Sequence, residues 1–266
     1  MGKIIGALLG YFSGGLILAA VGLLIGHLFD RGLKRAMGFN YVAEREQLQK
    51  VFFDSTFRIM GYLAKADGRV CEMEVQQAEA IFTQLGLSGE RRRQAIARFK
   101  EGSEAGFELE TCVSTFIEHC GRQPLLKQML IEALLAMAVA DGTIDPAEEK
   151  VLRRVAHFLG FNSARFEQLL NMTRAQHHFH YQYSSNREQA HRDSHDELAD
   201  AYQAMGINAE VSDAELKKAY RRLMSEHHPD KLIAKGMPED MIKLATEKSQ
   251  DIRAAYDLIR RHRGLS

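Results

Sequence analysis

Residues 212–231 read Ser212-Asp213-Ala214-Glu215-Leu216-Lys217-Lys218-Ala219-Tyr220-Arg221-Arg222-Leu223-Met224-Ser225-Glu226-His227-His228-Pro229-Asp230-Lys231. The stretch predicts a helix with a defined start. Ser212 and Glu215 have the spacing of a capping box, in which each side chain satisfies a backbone donor at the helix end. Leu216, Ala219, Tyr220 and Leu223 recur at i, i+3, i+4, i+7 and form one apolar face. Lys217, Lys218, Arg221 and Arg222 fall on the opposite side as two i,i+4 pairs, which repel by a few tenths of a kcal/mol each. A helix that accepts this repulsion presents a cationic stripe to a partner, or carries a solvated face. Pro229 biases His228 away from helical geometry, so the chain turns there.

The run Lys218-Ala219-Tyr220-Arg221-Arg222-Leu223 followed by His228-Pro229-Asp230-Lys231 resembles the J-domain of DnaJ-type co-chaperones. Upstream, Leu198 to Ile207 is similar to that family's first helix, opened by Ser194 and Glu197 as a second capping box. Downstream, Ile252-Arg253-Ala254-Ala255-Tyr256-Asp257-Leu258-Ile259 is similar to its third helix, with Ser249 where many J-domains carry Phe. The resemblance covers residues 194–266 as a J-domain helical hairpin. It implies a DnaK-type ATPase as partner. Lys217, Lys218, Arg221 and Arg222 would steer to an acidic surface, Asp230 would pair with a base on the chaperone, His228 and Pro229 would fix the turn that aims it, and Lys231 would join the chaperone-binding residues. Tyr220, Leu223, Ile252 and Tyr256 are expected in the core.

Composition narrows the rest. Lys+Arg and Asp+Glu are both 35 in 266 residues, so net charge is zero, which argues against nucleic acid as a partner. Three scattered cysteines, Cys71, Cys112 and Cys120, suit buried thiols in a reducing compartment. Neither a C-x-x-C pair nor a phosphate-binding G-x-x-x-x-G-K-[ST] loop is present. With four prolines and no Trp the chain reads as all-α.

Ile4 to Gly26 is uncharged over 23 residues, about 34 Å of helix, enough to cross a hydrocarbon layer of about 30 Å. A cleaved signal peptide has a shorter apolar run, so residues 1–30 read as a single N-terminal transmembrane helix. Lys3 precedes the span, whereas Arg31, Lys34, Arg35 and Arg45 follow it. The positive-inside tendency puts the N-terminus in the periplasm and the remaining domains in the cytoplasm, at a bacterial inner membrane. Gly6, Gly10 and Gly14, and then Gly22 and Gly26, are spaced by four, a ridge that favours a transmembrane homodimer; glycine is also simply common in membrane helices.

The middle, 48–170, contains a duplication. Met60 to Glu74 and Leu135 to Glu149 each run from an apolar helix through Asp-Gly and a β-branched residue into a second helix, with Asp67 and Asp141 offset by 74 residues. Asp145 and Pro146 suit a helix cap and first position. Gly86 and Gly160 suit the ends of the second helices. The pattern resembles TerB-like helical domains and implies a helical bundle. Asp67, Glu74, Asp141 and Glu148 are candidates for a hard cation, but too few oxygens gather for a calcium loop, and turn bracing by hydrogen bonds is the plainer reading. Cys112, His119 and Cys120 are better read as core thiols than as a zinc site. Neither a catalytic constellation nor a cofactor is implied, and the chain does not read as an enzyme.

Residues 171–193 are polar, lose periodicity and contain several histidines, and read as a flexible tether. A membrane span, a TerB-like bundle and a terminal J-domain in this order resemble the membrane-anchored J-domain co-chaperones of Gram-negative bacteria. Without a Gly/Phe-rich segment, zinc ribbon or client-binding domain, general client holding is not expected. The competing reading is an envelope-stress sensor or scaffold whose bundle binds a regulatory protein or metal.

Overall fold

Alternating apolar patterns of period 3.6 run through most of the chain, and every regular element among the described residues is a helix. A computed structural model describes residues 42–66, 78–79, 81–83, 85–140, 144–185 and 194–265. The expected span and its glycines, and the two Asp-Gly turns, lie outside the described residues. Among those described, no helix is long and apolar enough to cross a membrane.

Helix α1 covers 42–63, and α2 is helical at 78–79 and 81–83. Then follow α3 (Gly89–Ser103), α4 (Leu109–Cys120), α5 (Pro124–Ala138), α6 (Pro146–Phe158) and α7 (Ser163–Ser185). Phe52, Phe53 and Phe57 of α1 are buried; Phe52 meets Phe116 of α4 at a ring distance of 5.8 Å and Phe57 meets Phe82 of α2 at 5.4 Å. Gly61 and Gly102 let α1 and α3 cross with backbones nearly touching: a Cβ at Gly102 would overlap the Arg58 carbonyl, and one at Gly61 the Phe99 carbonyl. Arg58 pairs with Glu101 at 2.8 Å and Arg98 with Asp54 at 3.0 Å along the same crossing. Helix α5 is apolar nearly all round and runs through the centre, as such a helix must.

The duplication is visible where its two second helices end. Gly86 and Gly160 both take positive φ, 65° and 85°. Leu87 N–H donates to Phe82 O at 2.8 Å, and Phe161 N–H to Ala156 O at 2.9 Å, the same six-residue closure 74 positions apart. Asp145 caps α6 as expected: its side chain accepts from Ala147 N–H at 2.7 Å, and Pro146 takes the first turn.

The C-terminal part comprises α8 (Ser194–Ala204), α9 (Asp213–Glu226), α10 (Pro229–Ala234) and α11 (Glu239–His262). Its core holds Ala201, Tyr202, Met205, Leu216, Ala219, Leu223, Ile252, Ala255 and Ile259. Tyr220 and Tyr256, expected in the core, are half-buried and stack on each other at 4.0 Å. Ser249 is buried, and its hydroxyl donates to Thr246 O at 2.7 Å, so the polar group is satisfied within its own helix.

The tether expected over 171–193 is corrected as far as Ser185, because α7 continues unbroken through it. Met172, Ala175 and Phe179 recur at i, i+3, i+7 and are buried, and Met172 and Phe179 belong to the C-terminal core. The buried polar residues between them are paired: Thr173 Oγ1 donates to Leu169 O at 2.9 Å and Gln176 Nε2 to Ala204 O at 3.0 Å. The bundle and the C-terminal helices therefore share a helix, and residues Gln49–Ser266 form one compact unit.

Candidate functional site

The site begins with the cap on α9. Ser212 Oγ accepts from Glu215 N–H at 3.3 Å, and Glu215 Oε2 accepts from Ser212 N–H at 2.9 Å, so the expected box is closed. Leu216, Ala219 and Leu223 are buried, while Lys217, Lys218, Arg221 and Arg222 are all exposed. The i,i+4 contact from Arg222 to Glu226 is loose, at 4.0 Å. The four cations thus line an open face.

Helix α9 ends at His227, whose N–H donates to Leu223 O at 3.0 Å. His228 is extended, with φ −70° and ψ 124°, as a residue before proline should be. Pro229 then occupies the first position of α10, where its missing N–H costs nothing. Asp230 N–H donates to His228 Nδ1 at 3.2 Å, which makes Nδ1 an acceptor and leaves Nε2 as the ring's donor. Lys231 Nζ donates to Ser225 Oγ across the turn. The His228 side chain is 50% exposed and that of Asp230 87%, so the turn offers an imidazole N–H and a carboxylate to the outside.

Behind this turn lies a buried charged cluster that sequence reasoning missed. Glu132, on central helix α5, is 4% exposed, and His227 is 0%. Lys248 Nζ of α11 stands 2.8 Å from Glu132 Oε2, and His227 Nε2 stands 3.8 Å from the same oxygen. Gln128 Nε2 donates to Glu132 Oε1 at 2.8 Å and is 3.3 Å from Glu226 Oε2 of α9. Burial alone would raise the Glu132 pKa, but Lys248 and His227 outweigh it and hold the carboxyl well below its usual range. Burial pushes the His227 imidazole down to about 4, against the upward pull of Glu132, so the ring is neutral at pH 7. A cavity of about 620 Å³ opens beside the pair, bordered by Met129, Glu132, Gln176, Leu244 and Lys248. A charge inside Leu130-Ile131-Glu132-Ala133-Leu134-Leu135 is the signal from which this cluster could have been anticipated.

Of the other candidate sites, Asp67, Glu74 and Asp141 lie outside the described residues. Glu148 spends its carboxylate on the cap of α6, accepting from Asp145 N–H at 3.1 Å. No group of three or more metal-ligating side chains occurs among the described residues. Cys112 and Cys120 are buried free thiols, and burial pushes Cys120 up to about 12. His119 is exposed, with Nδ1 3.0 Å from Thr115 O, and does not join them.

Comparison with known proteins covers the chain in three blocks. Residues 1–36 match the family model described as the co-chaperone DjlA transmembrane domain. Residues 55–171 match tellurite resistance protein TerB, and residues 200–263 match the DnaJ domain. The chain is 40% identical to the co-chaperone protein DjlA of Photobacterium profundum, with 99% of each chain covered. It is 40% identical to DjlA of Coxiella burnetii over 100% of this chain and 98% of the relative, and 37% identical to DjlA of Yersinia pestis over 99% and 98%. No solved structure matches. With all three blocks in the expected order and identity sustained end to end, the chain belongs to the DjlA family of membrane-anchored co-chaperones.

Proposed function

We propose that this chain stimulates the ATPase of a DnaK-type chaperone at the cytoplasmic face of the inner membrane, acting as a regulator and not as a catalyst. The observation that carries the reading is the exposed His228-Pro229-Asp230 turn at the end of an exposed cationic helix face. Lys217, Lys218, Arg221 and Arg222 attract an acidic surface and raise the encounter rate. Asp230, and the donor of His228, then engage the chaperone; Pro229 fixes the turn, and Lys231 ties it back to α9. Such contacts accelerate hydrolysis only by favouring the hydrolysis-competent state of the chaperone over its resting state. The anchor is the N-terminal span with its N-terminus in the periplasm, and Gly6, Gly10, Gly14, Gly22 and Gly26 pair two copies.

The test is single-turnover ATP hydrolysis by a DnaK-type chaperone with the full-length chain in nanodiscs. Wild type should accelerate hydrolysis, and His228→Gln should abolish the acceleration with an unchanged circular dichroism spectrum. A folded wild-type chain without effect would refute the reading and favour a scaffold role for the bundle. Pairing is tested separately, by loss of a crosslinked dimer in Gly10→Leu.

A further inference from the structure

The bundle does more than lie beside the C-terminal helices. Glu132 sits on its central helix, yet its carboxylate faces His227 and Lys248, which belong to α9's end and to α11. Neither ring nitrogen of His227 has a hydrogen-bond partner among the described residues, so the ring is held by enclosure. The next residue is His228, whose Nδ1 and carbonyl receive the first N–H groups of α10. Further ties run between the same two parts: Gln128 to Glu226, and Gln49 Nε2 to Met237 O at 3.3 Å on the loop after α10. The turn is therefore gripped from behind while its front stays open.

We propose that Glu132 is a positioning residue for the His-Pro-Asp turn. Through its ion pair with Lys248, and with the enclosed His227 ring packed beside that pair, it docks the J-domain on the bundle in one orientation, so that the motif is presented facing away from the bundle. A rigid arm loses less orientational freedom on meeting its chaperone than one swinging on a tether. Losing Glu132 alone leaves Lys248 enclosed without its anion, and the contact opens. Replacing both members by apolar residues closes it again without charge.

The experiment uses full-length protein in nanodiscs, comparing wild type, Glu132→Gln, Lys248→Gln and the double variant Glu132→Met/Lys248→Met. Amide hydrogen exchange is the first readout. In Glu132→Gln the amides of Lys231 and Leu232 should exchange at least tenfold faster, while those of α4 keep the wild-type rate. The second readout rests on the proposed ATPase stimulation. The concentration for half-maximal stimulation should rise at least fivefold with the maximum unchanged, and the double variant should restore both readouts. Lys248 reaches the rim at 14% exposure, so Lys248→Gln carries the same expectation if Glu132→Gln does not fold. Unchanged exchange in α10 overturns the proposal. So does faster exchange with an unaltered half-maximal concentration, or a lower one, which would make the contact a restraint. If wild type itself fails to stimulate, the proposed function falls, and exchange alone decides on the clasp.

Discussion

Acidification should loosen this protein through His227, and the size of the effect follows from its burial. The ring is enclosed, and its pKa falls from 6.5 to about 4 in the folded chain. Below pH 6.5 the unfolded chain therefore binds a proton that the folded chain refuses. The neutral ring's contribution is fully present above pH 6.5 and is lost as pH falls towards 4, because stability rises with pH wherever the unfolded state binds more protons. The whole shift corresponds to about 3 kcal/mol, and about 2 kcal/mol of that should disappear between pH 7 and pH 5. Glu132 has the same sign, since its carboxyl is also depressed, but its loss begins only below the ordinary carboxylate pKa of 4.5. The interval from pH 7 to pH 5 thus isolates the histidine within this cluster. Urea unfolding of the full-length chain in detergent, followed by helical circular dichroism at each pH, gives the slope. His227→Leu, which keeps an enclosed side chain that cannot titrate, should flatten it by about 2 kcal/mol over that interval. An equal slope in wild type and variant would refute the assignment and place the acid sensitivity elsewhere.

Three further outcomes follow from the packing. Gly102→Ala should lower stability by about 1–3 kcal/mol, because its Cβ overlaps the Arg58 carbonyl and the crossing of α1 and α3 must widen; the helix-propensity gain of about 1 kcal/mol does not offset a backbone clash. Denaturant titration measures it, and a neutral result would show that the two helices are not in backbone contact. Arg263→Lys should cost about 1–3 kcal/mol, since Arg263 donates to Tyr202 Oη, Val211 O, Asp213 Oδ1 and Ala209 O at 2.7–2.9 Å, a spread no ammonium can cover; faster amide exchange across 208–213 is the check. Raising ionic strength from 0.05 to 0.5 M should increase the half-maximal concentration for ATPase stimulation severalfold, and Arg221→Gln with Arg222→Gln should reduce that salt dependence, because exposed charges are screened beyond a few ångström at high salt.

The parts of this fold that the sequence made legible are those whose signals are local. The capping box at Ser212 and the cap at Asp145 need only a few consecutive residues, and the glycine stops at Gly86 and Gly160 need one residue and its period. The cationic face and the turn before Pro229 belong to the same class. The tether failed for a related reason. Among the described residues its buried apolar face is Met172, Ala175 and Phe179, and the buried Thr173 and Gln176 between them are polar, with partners on the preceding turn and on α8, so periodicity was diluted below what a short window reveals. The clasp is a harder case, because each member has a sufficient local explanation. His227 reads as a helix end, Lys248 as one more cation on an amphipathic helix, and Glu132 as an isolated anomaly in an apolar run. Only their convergence from three helices, with 95 residues separating Glu132 from His227, turns them into one feature. A charge that a central helix tolerates at 4% exposure has to be answered by a partner, since an unpaired carboxylate there would cost several kcal/mol. That partner is Lys248 of α11, and the His227 ring enclosed beside the pair adjoins the exposed motif. The anomaly in the bundle and the motif in the J-domain are therefore two ends of one arrangement, and a substitution at either end should be read against the other.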